Sequence, residues 1–329
     1  MPLSSTASRS SVVCTLFDSH YHYGVGALVN SLHAAGFRGS LYAGYRGELP
    51  PWAMGRCKPD SHGLSSMTAG EVEIVFVPVE TRMNLAYYKP YFIQHIWQGH
   101  AEDAERLFFF DADIMTVARW SFFEGWADAG VAVVADGNTP MPVNHPVRVA
   151  WRRYFEPHGF RFARRNDYHY NSGFIGLHRE QRPLVDAWHR VLTIIAESVS
   201  LELPIGLAGA PPECCNRTFP FYLPDQDALN IVTDLEGVVV APMGSEGMGW
   251  KSPAVFMLHA CMPNKPWSGD YLRRARRGHS PGDIDDAYWR YTQSPLELFP
   301  AAHAARIRKQ MKLARIFAPL FGWLQMFRR

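Results

Sequence analysis

The chain has 329 residues, and its content of 47% hydrophobic and 19% charged residues is that of a globular protein rather than a disordered or collagen-like one. Its 33 basic and 31 acidic residues leave a net charge of +2, which is too balanced for a dedicated nucleic-acid-binding protein. This length favours one large domain or two small ones.

The cysteines and the N-terminal segment indicate the compartment. The five cysteines are odd in number and lack Cys-x-x-Cys spacing, which argues against a secreted disulfide framework and against a zinc ribbon. The first residues lack the apolar stretch of a signal peptide, and the sequence has no run of 18 apolar residues that would span a bilayer. We therefore expect a protein of the reducing cytoplasm.

Short apolar runs alternate with segments of helical periodicity along the chain. The apolar runs predict strands at 11–17, 40–45, 72–79, 107–110, 131–135, 174–177 and 255–258. The periodic segments predict helices at 23–35, 82–98 and 183–196, with Pro90 kinking or interrupting the second. An Asn-Ser-Gly turn is expected before the strand at 174–177. Regular alternation of this kind predicts an α/β fold with a mostly parallel sheet.

Two carboxylates, Asp111 and Asp113, follow directly after the predicted strand 107–110. In open α/β sheets ligands bind outside the carboxyl ends of the strands, so both side chains can face one site there. Paired oxygens suit a hard divalent cation that also holds a diphosphate. Asp-x-Asp recurs at Asp225 and at Asp283, the latter expected in a loop or at a helix start, so the pattern alone leaves a solvated turn open as well.

A second polar segment follows the predicted strand 255–258. His259 comes first, and Lys265 lies six residues later. A single histidine after a strand is usually a satisfied core or surface residue. Here, however, its imidazole can complete a metal site while the lysine ammonium neutralises a phosphate. The segment therefore favours a metal site beside a phosphate-bearing ligand.

Four motifs, in this order, resemble those of the retaining glycosyltransferases of family 8, which include glycogenin and the bacterial lipooligosaccharide galactosyltransferases. They are Asp111-Ala-Asp113, Asn171-Ser-Gly173, Asp225-Gln-Asp-Ala-Leu-Asn230 and the segment 259–267, which matches His-x-x-Gly-x-x-Lys-Pro-Trp except at Met262. The matches span 12–267, most of the chain. The resemblance implies a GT-A fold, which is a Rossmann-like, mostly parallel sheet with flanking helices.

The resemblance also implies a reaction and its metal. A hexose would pass from a UDP-sugar, with UDP-glucose and UDP-galactose ahead of UDP-N-acetylhexosamine, to a glycan or glycolipid acceptor with retention of configuration. Asp111, Asp113 and His259 would bind Mn²⁺ or Mg²⁺. Lys265 would hold the diphosphate as the leaving group develops charge. Met262 replaces the family's glycine and is expected to crowd the phosphate pocket.

The same resemblance implies which residues contact the donor. Asp18 and Tyr21 match the positions that hold the base and the ribose, Lys89 matches a basic residue that contacts the donor, and Asn171 belongs to the second motif. The residues themselves leave other roles open. Tyr21 can be a packing aromatic at a helix entry, and Lys89 can lie on a helix surface.

Gln226 and Asp225 are the predicted catalytic residues. Gln226 matches a position at the reacting face of the sugar. Because an amide is a poor nucleophile, we favour a front-side mechanism in which an oxygen of UDP guides the acceptor. Asp225 is expected to bind sugar hydroxyls. It can also be the N-cap of a helix entered at Ala228, and both roles can hold at once.

Three other functions are compatible with parts of the sequence. Gly24-Val-Gly26 follows a strand as in dinucleotide-binding dehydrogenases, but Val29 stands where the third glycine belongs. A nucleotide-sugar-binding module without turnover would keep the same fold. A GT-A transferase of another retaining family would share the same core.

The composition changes at the C-terminal end, which divides the chain into a catalytic domain at 1–300 and a basic amphipathic tail at 301–329. The tail has seven Lys and Arg residues, no acidic ones, and many apolar ones. Such a segment is typical of a helix that lies in the interface of an anionic membrane. We expect it to attach the protein to the inner face of the membrane. Docking of its apolar residues on the domain, or an oligomer contact, are the alternatives. Pro319 and Gly322 predict that the helix ends near Ala318.

Overall fold

The computed structural model describes residues 11–59, 63–137, 140–197, 199–202, 220–251 and 256–326. The strands are β1 (Ser11–Asp18), β2 (Gly39–Arg46), β3 (Lys58–Pro59), β4 (Ser65–Ala69), β5 (Val72–Pro78), β6 (Arg106–Phe110), β7 (Ile114–Thr116), β8 (Val131–Ala135), β9 (Tyr170–His178), β10 (Val240–Met243) and β11 (Met257–His259). The helices are α1 (His22–Ala35), α2 (Lys89–Gly99), α3 (Trp120–Asp128), α4 (Pro146–Phe155), α5 (Arg182–Ala196), α6 (Pro224–Val232), α7 (Tyr271–Ala275), α8 (Asp283–Arg290) and α9 (Ala301–Met326).

Nine of these strands form one sheet in the order β10-β8-β9-β6-β1-β2-β5-β4-β3, and β7 pairs separately with β11. Strands β1, β2, β5, β6, β8 and β10 run in the same direction, whereas β9 and β4 run against them. The sheet is mostly parallel, so the predicted α/β class is confirmed.

Helices cover both faces of the sheet, and side chains of β6 show how. Phe108 and Phe110 lie in a core with α1, α3, α8 and α9, whereas Leu107 and Phe109 lie in a second core with α2, α4, α5 and α6. This period of two along the apolar residues 107–110 is typical of a sheet buried on both sides. The buried sheet fixes the strand ends, and these ends carry the polar residues described below.

Helix α2 begins at Lys89, so the prediction of one helix over 82–98 is wrong in its first part. The residues before Lys89 form turns, and Pro90 occupies the first turn of the helix. A proline is tolerated there because the first backbone N–H groups of a helix have no partner within it. Pro90 therefore helps to start α2 rather than kinking it.

The predicted Asn-Ser-Gly turn is also wrong, because Asn171 and Gly173 lie inside β9. The backbone N–H of Asp111 donates to the carbonyl of Gly173 at 2.7 Å, and Asn171 pairs with Val134 of β8 on the other side. Pairing with two neighbouring strands thus outweighs the local turn preference of Asn, Ser and Gly.

Helix α6 begins at Pro224, with Leu223 as its N-cap. Asp225 therefore lies within the first turn, and the N-cap alternative for this residue is wrong. The carboxylate of Asp227 accepts a hydrogen bond of 2.8 Å from the backbone N–H of Leu223. Asp227, rather than Asp225, thus bonds the residue that precedes the helix, and the Asp225 side chain remains available to the interior.

Helix α9 continues through Pro319 and Gly322 to Met326, so the expected end near Ala318 is wrong. One face of α9 is buried against the core that contains Phe108 and Phe110, and the helix packs along α7. This docked face consists of Ala304, Ile307, Met311, Ala314 and Ala318. Its outward face carries Ile316 and Leu320, which are 62% and 57% exposed. In the part of the chain that the structure describes, no helix is long and apolar enough to cross a membrane.

Candidate functional site

A cavity of about 460 Å³ opens at the carboxyl edge of the parallel strands. It is lined by all ten residues that the sequence predicts for the site, namely Asp18, Tyr21, Lys89, Asp111, Asp113, Asn171, Asp225, Gln226, His259 and Lys265. A larger cavity of about 610 Å³ lies at the opposite edge of the sheet, and its lining includes none of the ten. The fold thus gathers residues from distant parts of the chain at one edge.

The small sheet of β7 and β11 brings the late polar segment to the Asp-x-Asp turn. His259, the last residue of β11, pairs with Ile114 at the start of β7. The backbone N–H of Ala260 then donates to the carbonyl of Asp113 at 3.0 Å. Because Asp113 directly precedes β7, this antiparallel pairing places the imidazole beside the two carboxylates.

Three potential metal ligands converge there. His259 Nε2 lies 3.2 Å from Asp113 Oδ1 and 3.9 Å from Asp111 Oδ2. One ligand atom from each of the three residues lies within 4.8 Å of the others. Two carboxylates and one imidazole form a mixed oxygen and nitrogen set that suits Mn²⁺, and the carboxylates also suit Mg²⁺.

Gly173 keeps the space between these ligands open. A Cβ at this position would lie 2.6 Å from His259 Cε1, 2.8 Å from Asn171 Oδ1 and 3.0 Å from Asp111 Oδ2. A side chain here would therefore occupy the space in which a cation would be held. The donor atoms and the space beside them both fit a divalent cation.

The His259 ring is held from one side by an indole. Trp250 stacks on it with ring centroids 5.8 Å apart and an interplanar angle of 27°. Among the residues that the structure describes, the buried Nδ1 of His259 has no hydrogen-bond partner. Stacking on Trp250 is thus the ring contact that orients this imidazole.

Each of the two carboxylates also contacts a lysine. Lys265 Nζ donates to Asp113 Oδ2 at 2.6 Å and to the Ala260 carbonyl at 2.7 Å. Burial lowers the pKa of Lys265, but the carboxylate of Asp113 outweighs this effect and raises the pKa above its usual value. Burial likewise raises the pKa of Asp113, but His259 and Lys265 outweigh it and hold that pKa well below its usual range. The pair is therefore ionised at neutral pH.

Lys89 is not a helix-surface lysine, because only 2% of it is exposed. Its Nζ lies 2.9 Å from Asp111 Oδ1 and 3.6 Å from Asp225 Oδ2, and it donates to the Ser172 carbonyl at 2.9 Å. Burial lowers the pKa of Lys89, yet the two carboxylates outweigh burial and raise it. A buried ammonium thus faces the cavity between two carboxylates.

Asp225 and Gln226 reach the cavity from the first turn of α6. Asp225 Oδ2 accepts a hydrogen bond of 2.5 Å from Ser172 Oγ, and burial raises the pKa of this carboxyl. Gln226 Oε1 accepts from Asn171 Nδ2 at 3.2 Å. These two side chains tie α6 to the motif residues of β9.

At the other end of the cavity, Tyr21 packs against neighbouring side chains and lines the cavity. Its ring packs edge-on against Trp267, with centroids 5.5 Å apart, and Lys265 Nζ lies 5.4 Å from its centroid. The ring also lines the cavity. It is therefore both a packing aromatic and a surface available for stacking.

Two further polar residues lie at this edge, and none of the four sequence motifs includes them. Arg46 forms a 2.5 Å ion pair with Asp18, its register partner on the neighbouring strand. Asp136 directly follows β8, and its Oδ2 accepts from the side-chain amides of Asn171 and Gln226 at 3.2 and 2.8 Å. Both lie at carboxyl ends of parallel strands, so the rule that singled out Asp111 could also have found them.

Met262 departs from the expectation for its position. Its side chain is 67% exposed and does not belong to the cavity lining. The expected crowding of the pocket is therefore wrong. The segment turns so that Lys265 lines the cavity while Met262 lies on the surface.

No profile of a known protein family matches the chain, and no curated protein matches it. Among solved structures, it is similar to the apo structure of WbbM, a bifunctional glycosyltransferase, with 14% identity and a TM-score of 0.49 over 94% of this chain and 53% of that one. It is also similar to the galactosyltransferase LgtC in complex with donor and acceptor sugar analogues, with 13% identity and a TM-score of 0.47 over 90% of this chain and 99% of that one. The chain thus spans about half the length of WbbM.

Proposed function

We propose that this chain is a metal-dependent GT-A glycosyltransferase that moves a hexose from a UDP-sugar to a glycan or glycolipid acceptor with retention of configuration. The observation that carries the proposal is the convergence of Asp111, Asp113 and His259 at the carboxyl edge of the sheet, with Lys265 beside Asp113. A mononuclear site beside a buried lysine suits a diphosphate leaving group. The four sequence motifs support the same activity.

In this proposal Asp111, Asp113 and His259 hold Mn²⁺ or Mg²⁺, which neutralises charge on the diphosphate when it is bound. Lys265 donates hydrogen bonds to the diphosphate as negative charge develops on the leaving oxygen. The hydrogen bond to Asp113 holds the Lys265 ammonium beside the proposed metal ligands before the donor binds. A donor held there already has its cationic partners in position.

The remaining residues hold the two ends of the donor. Tyr21 offers its ring face to uracil, and Asp18, oriented by Arg46, accepts hydrogen bonds from the base or ribose. Lys89 and Asp225 bind sugar hydroxyls, together with Asn171 and Gln226, which face the reacting carbon. Because an amide is a poor nucleophile, the acceptor attacks from the side on which UDP departs, and a UDP oxygen takes its proton.

A panel of UDP-sugars tests this function. UDP-glucose, UDP-galactose and two UDP-N-acetylhexosamines are assayed for UDP release with Mn²⁺, with and without lipid-linked and polysaccharide acceptors. We expect release from one donor and its loss in EDTA. Binding of a UDP-sugar with Mn²⁺ but without UDP release would instead identify a nucleotide-sugar-binding module. An inverted anomer in an NMR time course would contradict the retaining mechanism.

We also propose that the outward face of α9 attaches the protein to an anionic membrane surface, such as the inner face of a cytoplasmic membrane. Arg306, Lys309 and Lys312 are exposed on the first half of the helix, and Ile316 and Leu320 on the second half. Each cation near an anionic surface contributes about 1 kcal/mol, and the exposed apolar side chains can enter the interface. A catalytic unit at 1–300 would then act on membrane-associated acceptors.

A further inference from the structure

A cluster of buried polar side chains lies behind Gln226. His169, Gln226 and Asp227 are all buried, although each carries polar or ionisable groups. Burial of such groups is unfavourable unless they bond to one another. Their mutual contacts therefore decide how each side chain is oriented, and Gln226 lies at the cavity end of the cluster.

The Gln226 side-chain amide has partners at both of its ends. Its Oε1 accepts from Asn171 Nδ2 at 3.2 Å and from the Ser172 backbone N–H at 3.4 Å. Its Nε2 lies 2.8 Å from Asp136 Oδ2 and 3.2 Å from His169 Nδ1. The partners of the oxygen line the cavity, whereas those of the nitrogen do not. The amide oxygen is thus on the cavity side.

These partners fix the amide orientation by their chemistry. The carboxylate of Asp136 only accepts hydrogen bonds, and the backbone N–H of Ser172 only donates them, so a flipped amide would meet an unsuitable partner at both ends. Because Gln226 Nε2 can only donate, His169 Nδ1 must accept. The imidazole proton is then on Nε2, which lies 3.7 Å from Asp227 Oδ1.

The His169 ring is itself held in place. The indole of Trp151 stacks on it with centroids 6.3 Å apart and an interplanar angle of 25°. The Asp227 carboxylate, which faces Nε2 of the ring, is anchored by the backbone N–H of Leu223. Among the described residues Nε2 has no hydrogen-bond partner, so the stack on Trp151 and the contact of Nδ1 with Gln226 are what orient the ring.

We propose that His169 is a positioning residue that takes up one amide hydrogen of Gln226, so that only the amide oxygen of Gln226 faces the bound sugar. The inference rests on the proposed function, in which positive charge develops at the anomeric carbon. A carbonyl oxygen stabilises this charge, whereas an amide N–H group opposes it. Asp136 takes up the other amide hydrogen. Loss of the His169 acceptor leaves one buried amide hydrogen unpaired, which loosens the hold on the amide and on the position of its oxygen.

Two reciprocal variants separate this role from simple packing. His169→Asn keeps an acceptor oxygen near the position of Nδ1 but loses the ring that stacks on Trp151. His169→Phe keeps a ring but has no acceptor. A positioning role predicts that His169→Asn resembles the parent protein and that His169→Phe does not, whereas a packing role predicts the opposite order.

The first measurement is NMR of the full chain labelled with amide-¹⁵N glutamine, in which the Gln226 signals are identified by their loss in Gln226→Met. We expect His169→Phe to shift these signals and to speed their hydrogen exchange about tenfold, while His169→Asn leaves them near their original positions. Thermal unfolding checks that both variants fold. If His169→Phe does not fold, His169→Leu, which also lacks an acceptor, replaces it. Unchanged Gln226 signals in the variant without an acceptor would overturn the proposal.

The second measurement is turnover of whichever UDP-sugar the panel identifies. We expect kcat to fall about tenfold in His169→Phe with little change in KM for the donor, and to stay near the parent value in His169→Asn. The reverse order of the two variants would overturn the positioning role. If the NMR result holds but the parent chain turns over no UDP-sugar, the proposed function fails while the contact between His169 and Gln226 stands.

Discussion

Lys265 Nζ lies 2.6 Å from Oδ2 of Asp113, which is 152 residues earlier in the chain. The other oxygen of the same carboxylate lies 3.2 Å from His259 Nε2. One carboxylate thus joins the strand-end turn to both functional residues of the late polar segment. A change at Asp113 is therefore expected to affect metal binding and phosphate binding together.

Asp111→Asn and Asp113→Asn should each weaken Mn²⁺ binding at least about a hundredfold, because an amide replaces a charged ligand. Isothermal titration calorimetry or electron paramagnetic resonance with Mn²⁺ alone measures this. Asp283→Asn is the matched control, since Asp283 begins another Asp-x-Asp but lies exposed in the first turn of α8. Equal weakening by Asp283→Asn, or tight Mn²⁺ binding by Asp113→Asn, would refute the assigned metal site.

Gly173→Ala should abolish Mn²⁺ binding, because the added methyl group would lie within 3.0 Å of atoms of His259, Asn171 and Asp111. The same titration measures the effect, and circular dichroism reports whether the sheet is retained. Gly99→Ala serves as the control, since a Cβ there meets nothing within 4 Å. Mn²⁺ affinity that survives Gly173→Ala in a folded protein would show that the cation does not need this space.

Stability should depend on pH through Asp227. Burial raises the pKa of this carboxyl to about 6, compared with about 3.9 in an unfolded chain. A raised pKa means that the folded state binds the proton more tightly, so its stabilising contribution is complete below about pH 4 and is lost as the pH rises through 6. The loss is of order 2–3 kcal/mol.

Denaturant unfolding of the parent protein and of Asp227→Asn, at pH 4 and at pH 7, measures this contribution. The free energy of unfolding of the parent minus that of the variant should fall by about 2–3 kcal/mol between the two pH values. Titratable groups that do not interact with Asp227 cancel in this difference. A difference that is independent of pH would mean that Asp227 titrates normally.

The membrane proposal predicts that Ile316→Ser/Leu320→Ser reduces flotation on anionic vesicles without changing thermal unfolding, because both side chains are largely exposed. Vesicles containing phosphatidylglycerol are compared with pure phosphatidylcholine ones.

Met311→Ala on the docked face is the control, and it should cost about 2–5 kcal/mol of stability but leave flotation unchanged. Removal of the whole tail is a poorer test, since it would uncover the docked face. Unchanged flotation of the double variant, or no flotation of the parent chain, would contradict membrane attachment.

The contact between α9 and the loop after α7 predicts unequal effects of two glycine substitutions. Gly278 has φ +80°, and a Cβ there would lie 3.0 Å from the Cα of Gly322. A Cβ on Gly322 would meet Gly278 only at 3.6 Å, an ordinary contact. Gly278→Ala should therefore destabilise by about 1–3 kcal/mol, whereas Gly322→Ala, inside α9, should leave stability unchanged or raise it by up to about 1 kcal/mol. Chemical denaturation distinguishes the two, and equal effects would show that α9 is not held at this point.

The fold class and the edge of the sheet at which the site lies could both be predicted from the amino-acid sequence. Apolar runs and helical periodicity predict which residues are buried, and this pattern is local to each element. Asp111 could be placed in the site because it directly follows such a run, and carboxyl ends of parallel strands meet at one edge. The late segment with His259 and Lys265 was found from its motif, which is local as well.

The contacts that orient those residues could not be predicted from the sequence and are known from the folded chain. His169 meets Gln226, and Trp250 meets His259, because separate elements are folded onto one another, and no spacing in the sequence encodes these distances. For the same reason Asn171 lies in a strand that two neighbours hold extended, and α9 continues past Pro319 along a face docked on the core. Local preferences differ by about 1 kcal/mol per residue, and by about 3 kcal/mol for a proline inside a helix, so packing and strand pairing with distant segments can outweigh them.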